Sequence, residues 1–165
     1  METELLKTIL LIATHILVFI GGFLSRKFTL TKKEKIDHSA KLQETSNKLN
    51  DALNNKYQIF TLALNNYINI NKNPDGNDFY KIATTGDSYF EQIRSICDSV
   101  LSENVDKNTV KNTFIPKIVE TIEKILPKYY ETLQEIAKKQ SLNFDGKLEE
   151  KKYKSIYEVY RSRNK

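Results

Sequence analysis

Cysteine, proline, glycine, histidine and tryptophan are all scarce in this 165-residue sequence, which holds one Cys, three Pro, five Gly, two His and no Trp. Each scarcity excludes something. With Cys97 alone, no disulfide can close within the chain and no thiolate cluster can hold a metal. Its setting, FEQIRSICDSVL, repeats apolar residues at helical spacing (Phe90, Ile93, Cys97, Val100, Leu101). Cys97 therefore reads as a small buried apolar residue, not a reactive thiol. The few glycines and prolines argue against an all-β chain with its many tight turns.

The two histidines are His15 and His38. A nucleophile–histidine pair would have to be built around His38, some seven residues into an expected helix, where side chains are solvated. A di-metal centre in a helical bundle needs Glu-x-x-His pairs, and none occurs. Neither G-x-x-x-x-G-K-[ST] nor G-x-G-x-x-G is present, so no loop is set to cradle phosphates. Glu120 with Glu123, and Glu131 with Glu135, alternate with Lys117, Lys124, Lys128, Lys138 and Lys139, the pattern of a solvated helix face. These absences predict a protein that is not an enzyme and takes no cofactor, metal or small-molecule substrate.

Charge is unevenly placed. The net +5 comes from two short stretches. Residues 26–35 carry five basic groups against one acidic, and residues 147–165 seven against three. The intervening residues 36–146 carry thirteen basic and fifteen acidic groups. A nucleic-acid footprint spread over the whole domain is thereby excluded.

Leu5 to Leu24 gives twenty residues with Lys7 as the one charge, the length that crosses a bilayer core of roughly 30 Å. Ile9, Leu10, Leu11, Ile12, Ile16, Leu17, Val18, Phe19 and Ile20 point in every helical direction, so no polar face remains for water. A cleaved export signal fits less well, because METELLK is acidic and GGFLS lacks a small-x-small cleavage site. Arg26, Lys27, Lys32, Lys33 and Lys35 flank the C-terminal end of the run, while only Lys7 lies near the other end. That asymmetry predicts a single-pass protein of the inner (plasma) membrane, with its N-terminus outside and its C-terminal domain in the cytoplasm. Within the span, Thr8, His15 and Gly22 recur every seven residues and share a face. An imidazole and a close-approach glycine there suit helix self-association; a histidine bonded to its own helix is the plainer alternative.

The remainder reads as helices. Thr31 with Glu34 forms a capping box and predicts a helix start. Apolar positions from Ile36 to Ile68 continue it to about Asn71, where NKNPDGN breaks it. Ser88 with Glu91 predicts a second start after ATTGD. A third region, Asp106 to Gln140, carries Phe114, Ile118, Ile122, Ile125, Tyr129, Leu133 and Ile136, interrupted by Pro116 and Pro127, which should restart or bend it. After SLNFDG, residues 147–165 should form a last helix. The expected fold class is all-α: a span (1–30), a cytoplasmic antiparallel helical bundle with a long stalk-like first helix (31–146), and a basic, Tyr-rich C-terminal helix (147–165).

That last segment holds the remaining candidate site. Tyr153, Tyr157 and Tyr160 make one helical stripe among Lys151, Lys152, Lys154, Arg161 and Arg163. Such a stripe can dock into the bundle, lie on an anionic membrane or partner protein, or stack on single-stranded nucleic acid. The leading expectation is a membrane-anchored adaptor or scaffold with a protein partner. A bilayer-perturbing effector that self-associates and a membrane tether for nucleic acid are the alternatives.

Overall fold

The computed structural model describes residues 2–69 and 76–163, with side chains from 31 to 68 and from 77 to 163. Its elements are α1 (Glu2–Asn69), α2 (Gly76–Leu101), α3 (Lys107–Thr109), a π-helical turn (Val110–Phe114), α4 (Ile115–Glu120), a second π-helical turn (Thr121–Ile125), α5 (Leu126–Lys139), a 3-10 turn (Glu150–Tyr153) and α6 (Lys154–Ser162). The all-α expectation holds: among the described residues there is no strand.

Two packing units divide the chain, residues 1–41 and 42–165. In the first, every described side chain from Thr31 to Lys41 is exposed. Among the described residues no helix is long and apolar enough to cross a membrane. The run Leu5–Leu24, with Thr8, His15 and Gly22 and the flanking Arg26 and Lys27, lies outside the residues whose side chains are described. The structure therefore adds no support to the predicted span. The NKNPDGN break also falls mostly outside the described residues.

Three predicted boundaries are corrected. No helix starts at Thr31, because α1 already runs through it. A capping pattern favours a start but does not break a helix that has neither Gly nor Pro beside it, and residues 23–40 hold none. ATTGD does not separate two helices either, since α2 passes through it. The hydroxyls of Thr84 and Thr85 donate to the carbonyls of Tyr80 and Lys81, one turn back, at 2.8 and 2.7 Å, a bond compatible with a continuing helix. Gly86 serves packing: a Cβ there would lie 2.3 Å from Tyr129 Cε2, so the missing side chain lets the Tyr129 ring seat against α2. Finally, residues 147–149 are not helical, and α6 begins only at Lys154, after the 3-10 turn.

The prolines are accommodated by widening the helix. Ile115 N–H bonds to Val110 O, and Leu126 N–H to Thr121 O, each spanning five residues. Pro116 and Pro127 follow directly. A proline ring strikes the carbonyl four residues back in a regular helix, and the wider turn moves that carbonyl away. The helix so restarts at Ile115 and Leu126 without losing its course.

The second unit holds one core. Leu53, Phe60 and Ala63 of α1 meet Ile82, Phe90, Ile93, Ile96 and Cys97 of α2, Ile118 of α4, Leu126, Leu133 and Ile136 of α5, and Ile156 and Val159 of α6. Phe90 is its aromatic centre, with Phe60, Tyr89, Tyr129 and Tyr153 at ring-centroid distances of 6.2, 5.3, 5.0 and 5.7 Å. All four contacts are edge-on, with interplanar angles of 61°, 65°, 67° and 72°, a favoured aromatic geometry. Buried Ser46 ties α1 to the α2–α3 connection: its hydroxyl donates to Leu42 O and accepts from Asp106 N–H, both at 2.9 Å. Asp106 in turn caps α3 by accepting Thr109 N–H at 2.8 Å, a bond that holds its carboxyl below the usual range.

Candidate functional site

The C-terminal segment is docked along its length. Leu142, Phe144 and Leu148 of the connection from α5 are half-buried against the core, and Gln134 Nε2 donates to Gly146 O at 2.9 Å. Tyr153 is 3 % exposed. Its hydroxyl lies 3.0 Å from that of Tyr130, so one phenol donates to the other. Tyr157 and Tyr160 are half-buried. The Tyr160 hydroxyl donates to Glu123 Oε1 at 2.8 Å, and Arg163 lies 3.9 Å from the Tyr160 ring centroid while also reaching Glu123 at 3.3 Å. That pair of bonds, Tyr160 first, depresses the Glu123 carboxyl pKa.

The predicted stripe is thus split. Tyr153 faces inward, and the other two rings each carry an arginine, Arg161 over Tyr157 at 5.6 Å and Arg163 over Tyr160. Three of the basic groups are ion-paired: Lys152 with Asp87, Arg161 with Glu150, and Arg163 with Glu123. Lys151 and Lys154 are exposed. Exposed pairs of this kind are individually weak, yet they offset much of the local positive charge. Lys32 and Lys33 are exposed in the first unit, as is His38. Among the described residues no three His, Cys, Asp or Glu side chains gather in a way that could hold a metal.

Where the connection 141–149 crosses α2 and α5, an open groove of about 650 Å³ appears. Its walls are aromatic, from Phe79 and Tyr80 of α2, Tyr129 and Tyr130 of α5, and Phe144, which meets Phe79 edge-on at 5.2 Å. Its rim is charged with both signs: Asp87, Asp145 and Glu149 beside Lys147 and Lys152. Tyr80 stands 62 % exposed at this groove. The Tyr129 hydroxyl lies 3.0 Å from Ala83 O and 3.3 Å from Asp87 Oδ1, which also takes Lys152 at 3.4 Å. Apolar walls with a mixed polar rim suit a peptide segment that inserts one large side chain. Sequence reading missed this groove, because its walls come from three separate stretches and no spacing joins them.

The buried hydroxyls and thiol make a measurable prediction. Burial pushes Tyr89 up to about 12, against the weaker opposing bond from Thr121, and pushes Cys97 up to about 12 as well. Burial likewise raises Tyr129 and Tyr153. The unfolded chain releases these protons at ordinary values, about 8.5 for Cys and 10 for Tyr, while the folded chain retains them. Their contribution is whole below about pH 8 and is lost as pH rises through 9 to 12. Urea unfolding should show stability falling steeply across that window, with a shallower fall in Tyr153→Phe. A flat profile to pH 11 would contradict the burial of these groups.

Comparison with protein-family models, curated proteins and solved structures finds no match to this chain, so its fold and candidate site stand on its own residues.

Proposed function

We propose that this protein is a non-enzymatic, membrane-anchored helical adaptor that offers the groove between α2, α5 and residues 141–149 to a partner protein. The observation that carries the reading is the groove itself: aromatic walls, an exposed Tyr80, and a rim of both charges. Exposed aromatic side chains beside a pocket are the usual anchors of protein recognition. The mixed rim favours a polypeptide over a polyanion, which would meet Asp87, Asp145 and Glu149. The apolar run Leu5–Leu24 with Arg26, Lys27, Lys32 and Lys33 after it supports attachment to the inner membrane face, with the bundle cytoplasmic.

The Thr8–His15–Gly22 face favours a second reading, in which spans associate and perturb the bilayer. Nucleic-acid tethering has less to rest on, since Tyr153 is enclosed and Tyr157 and Tyr160 are already covered.

The test is site-specific photocrosslinking in cells, with the photoreactive residue at Tyr80 and, as a control, at Leu101, which is exposed at the far end of α2. A discrete adduct from position 80 and none from position 101 is expected. No adduct at 80, or equal labelling from both, would contradict the adaptor reading.

A further inference from the structure

The outward face of α1 in the second unit departs from the other surfaces of the domain. From Tyr57 to Asn69 the sequence contains no charged residue, in a chain that is 28 % charged. By contrast, the exposed residues of α5 include Lys128, Glu131, Glu135, Lys138 and Lys139. The same stretch carries four of the large apolar side chains left exposed, Tyr57, Ile59, Leu62 and Ile68. Loss of charge together with exposed apolar groups marks the centre of an interface. The inner face of this helix is already used, since Leu53, Phe60 and Ala63 lie in the core.

Along the outer face, Asn55, Ile59, Leu62 and Asn66 follow at spacings of four, three and four, the step of a coiled-coil seam. Ile59 is 45 % and Leu62 60 % exposed. In heptad terms Ile59 and Asn66 take a positions and Asn55 and Leu62 take d positions. Isoleucine at a with leucine at d is the combination that favours two strands, and asparagine in the seam fixes register.

From this seam we infer that a second copy of this chain docks on α1, pairing through Asn55, Ile59, Leu62 and Asn66 in parallel. The amides argue for a second copy over a different partner. Each asparagine side chain both donates and accepts, so in a two-fold pairing it satisfies its own counterpart. From Tyr57 to Asn66 no charge repels the identical stretch of another copy. The seam spans twelve residues, about 16 Å of helix, too short by itself for the area that a stable complex buries. Pairing is therefore weak in dilute solution and depends on copies being held at high local concentration. The parallel direction rests on the membrane-anchored reading above, because two copies inserted the same way in one bilayer run side by side.

The experiment is oxidative cross-linking of the full chain in native membranes, from single cysteine substitutions. Cys97 is fully buried and supplies no competing thiol. Ile59→Cys and Asn66→Cys should each give a disulfide-linked dimer of twice the chain mass, and Glu103→Cys, outside the seam, should not. Adding Leu62→Lys should cut the Asn66→Cys dimer about tenfold by placing an unpaired charge in the contact. Because Leu62 is exposed, the melting temperature of that variant should not change. Dimers at Glu103→Cys equal to those at the seam, or none at either seam position, would overturn the second-copy surface. Dimers formed only when Asn55→Cys and Asn66→Cys are mixed would overturn the parallel register, and with it the shared-anchor geometry, independently of whether Tyr80 captures a partner.

Discussion

Phe90→Ala is expected to lower the unfolding free energy by about 3–5 kcal/mol, the usual loss for a large aromatic truncated in a packed core. The expectation follows from position. The Phe90 ring lies on α2 and meets Phe60 on α1, Tyr129 on α5 and Tyr153 of the C-terminal segment. Removing it leaves a void on which three other parts of the bundle converge, and a void bordered by several helices collapses poorly. For a chain of this size the melting temperature should fall by roughly 6–20 °C. Leu101→Ala, at an exposed site, should stay within about 0.5 kcal/mol of the parent. A loss at position 90 below about 1 kcal/mol would mean that the rings do not form a common core.

The second large effect concerns attachment. Ile12→Arg with Ile16→Arg puts two guanidinium groups near the middle of the Leu5–Leu24 run. At about 2.5–3.5 kcal/mol for each arginine at a span centre, the pair opposes insertion by about 5–7 kcal/mol. On the anchored reading, the doubly substituted protein moves from the membrane pellet to the soluble fraction. The thermal melt of its bundle should not change, because residues 42–165 pack as their own unit. If both proteins fractionate alike, the apolar run is not what holds the chain at a membrane.

Some of this architecture is written in residue spacing and some is not. In the Asp106–Gln140 region, Phe114, Ile118, Ile122, Tyr129, Leu133 and Ile136 were read as one apolar stripe, and all six are buried. The same reading chose Ile125, yet Ile125 is half-buried and Leu126 wholly buried. The π turn at Thr121–Ile125 explains the slip: a turn with an extra residue shifts the inward face by one position, and a regular 3.6-residue period cannot anticipate it. Gly86 misled for a related reason. Local propensity counts glycine as a breaker, whereas here it is set by a ring forty-three residues away, Tyr129. Tertiary packing overrides local preference in such cases.

The candidate site was legible only in part. The periodicity of Tyr153, Tyr157 and Tyr160 was visible, but spacing alone cannot distinguish a wet stripe from a docked one. The partners that decide it, Tyr130 for Tyr153 and Glu123 for Tyr160, lie twenty-three and thirty-seven residues away. The groove beside them was illegible, because Tyr80, Asp87, Tyr129 and Phe144 share no motif. The outer seam of α1 was overlooked for the opposite reason. Ile59 and Leu62 fall among so many apolar residues that only knowing which face is buried reveals which is left over.

The central claim, a helical adaptor held at the inner membrane face, is tested most directly on the full chain carrying Lys151→Cys, an exposed position beside the docked C-terminal segment. Membranes are washed with alkaline carbonate, and intact and permeabilised cells are labelled with a membrane-impermeant thiol reagent. The account requires the protein to stay in the washed pellet and position 151 to react only after permeabilisation. Release by carbonate would contradict the anchor, and labelling in intact cells would contradict the cytoplasmic placement of the bundle.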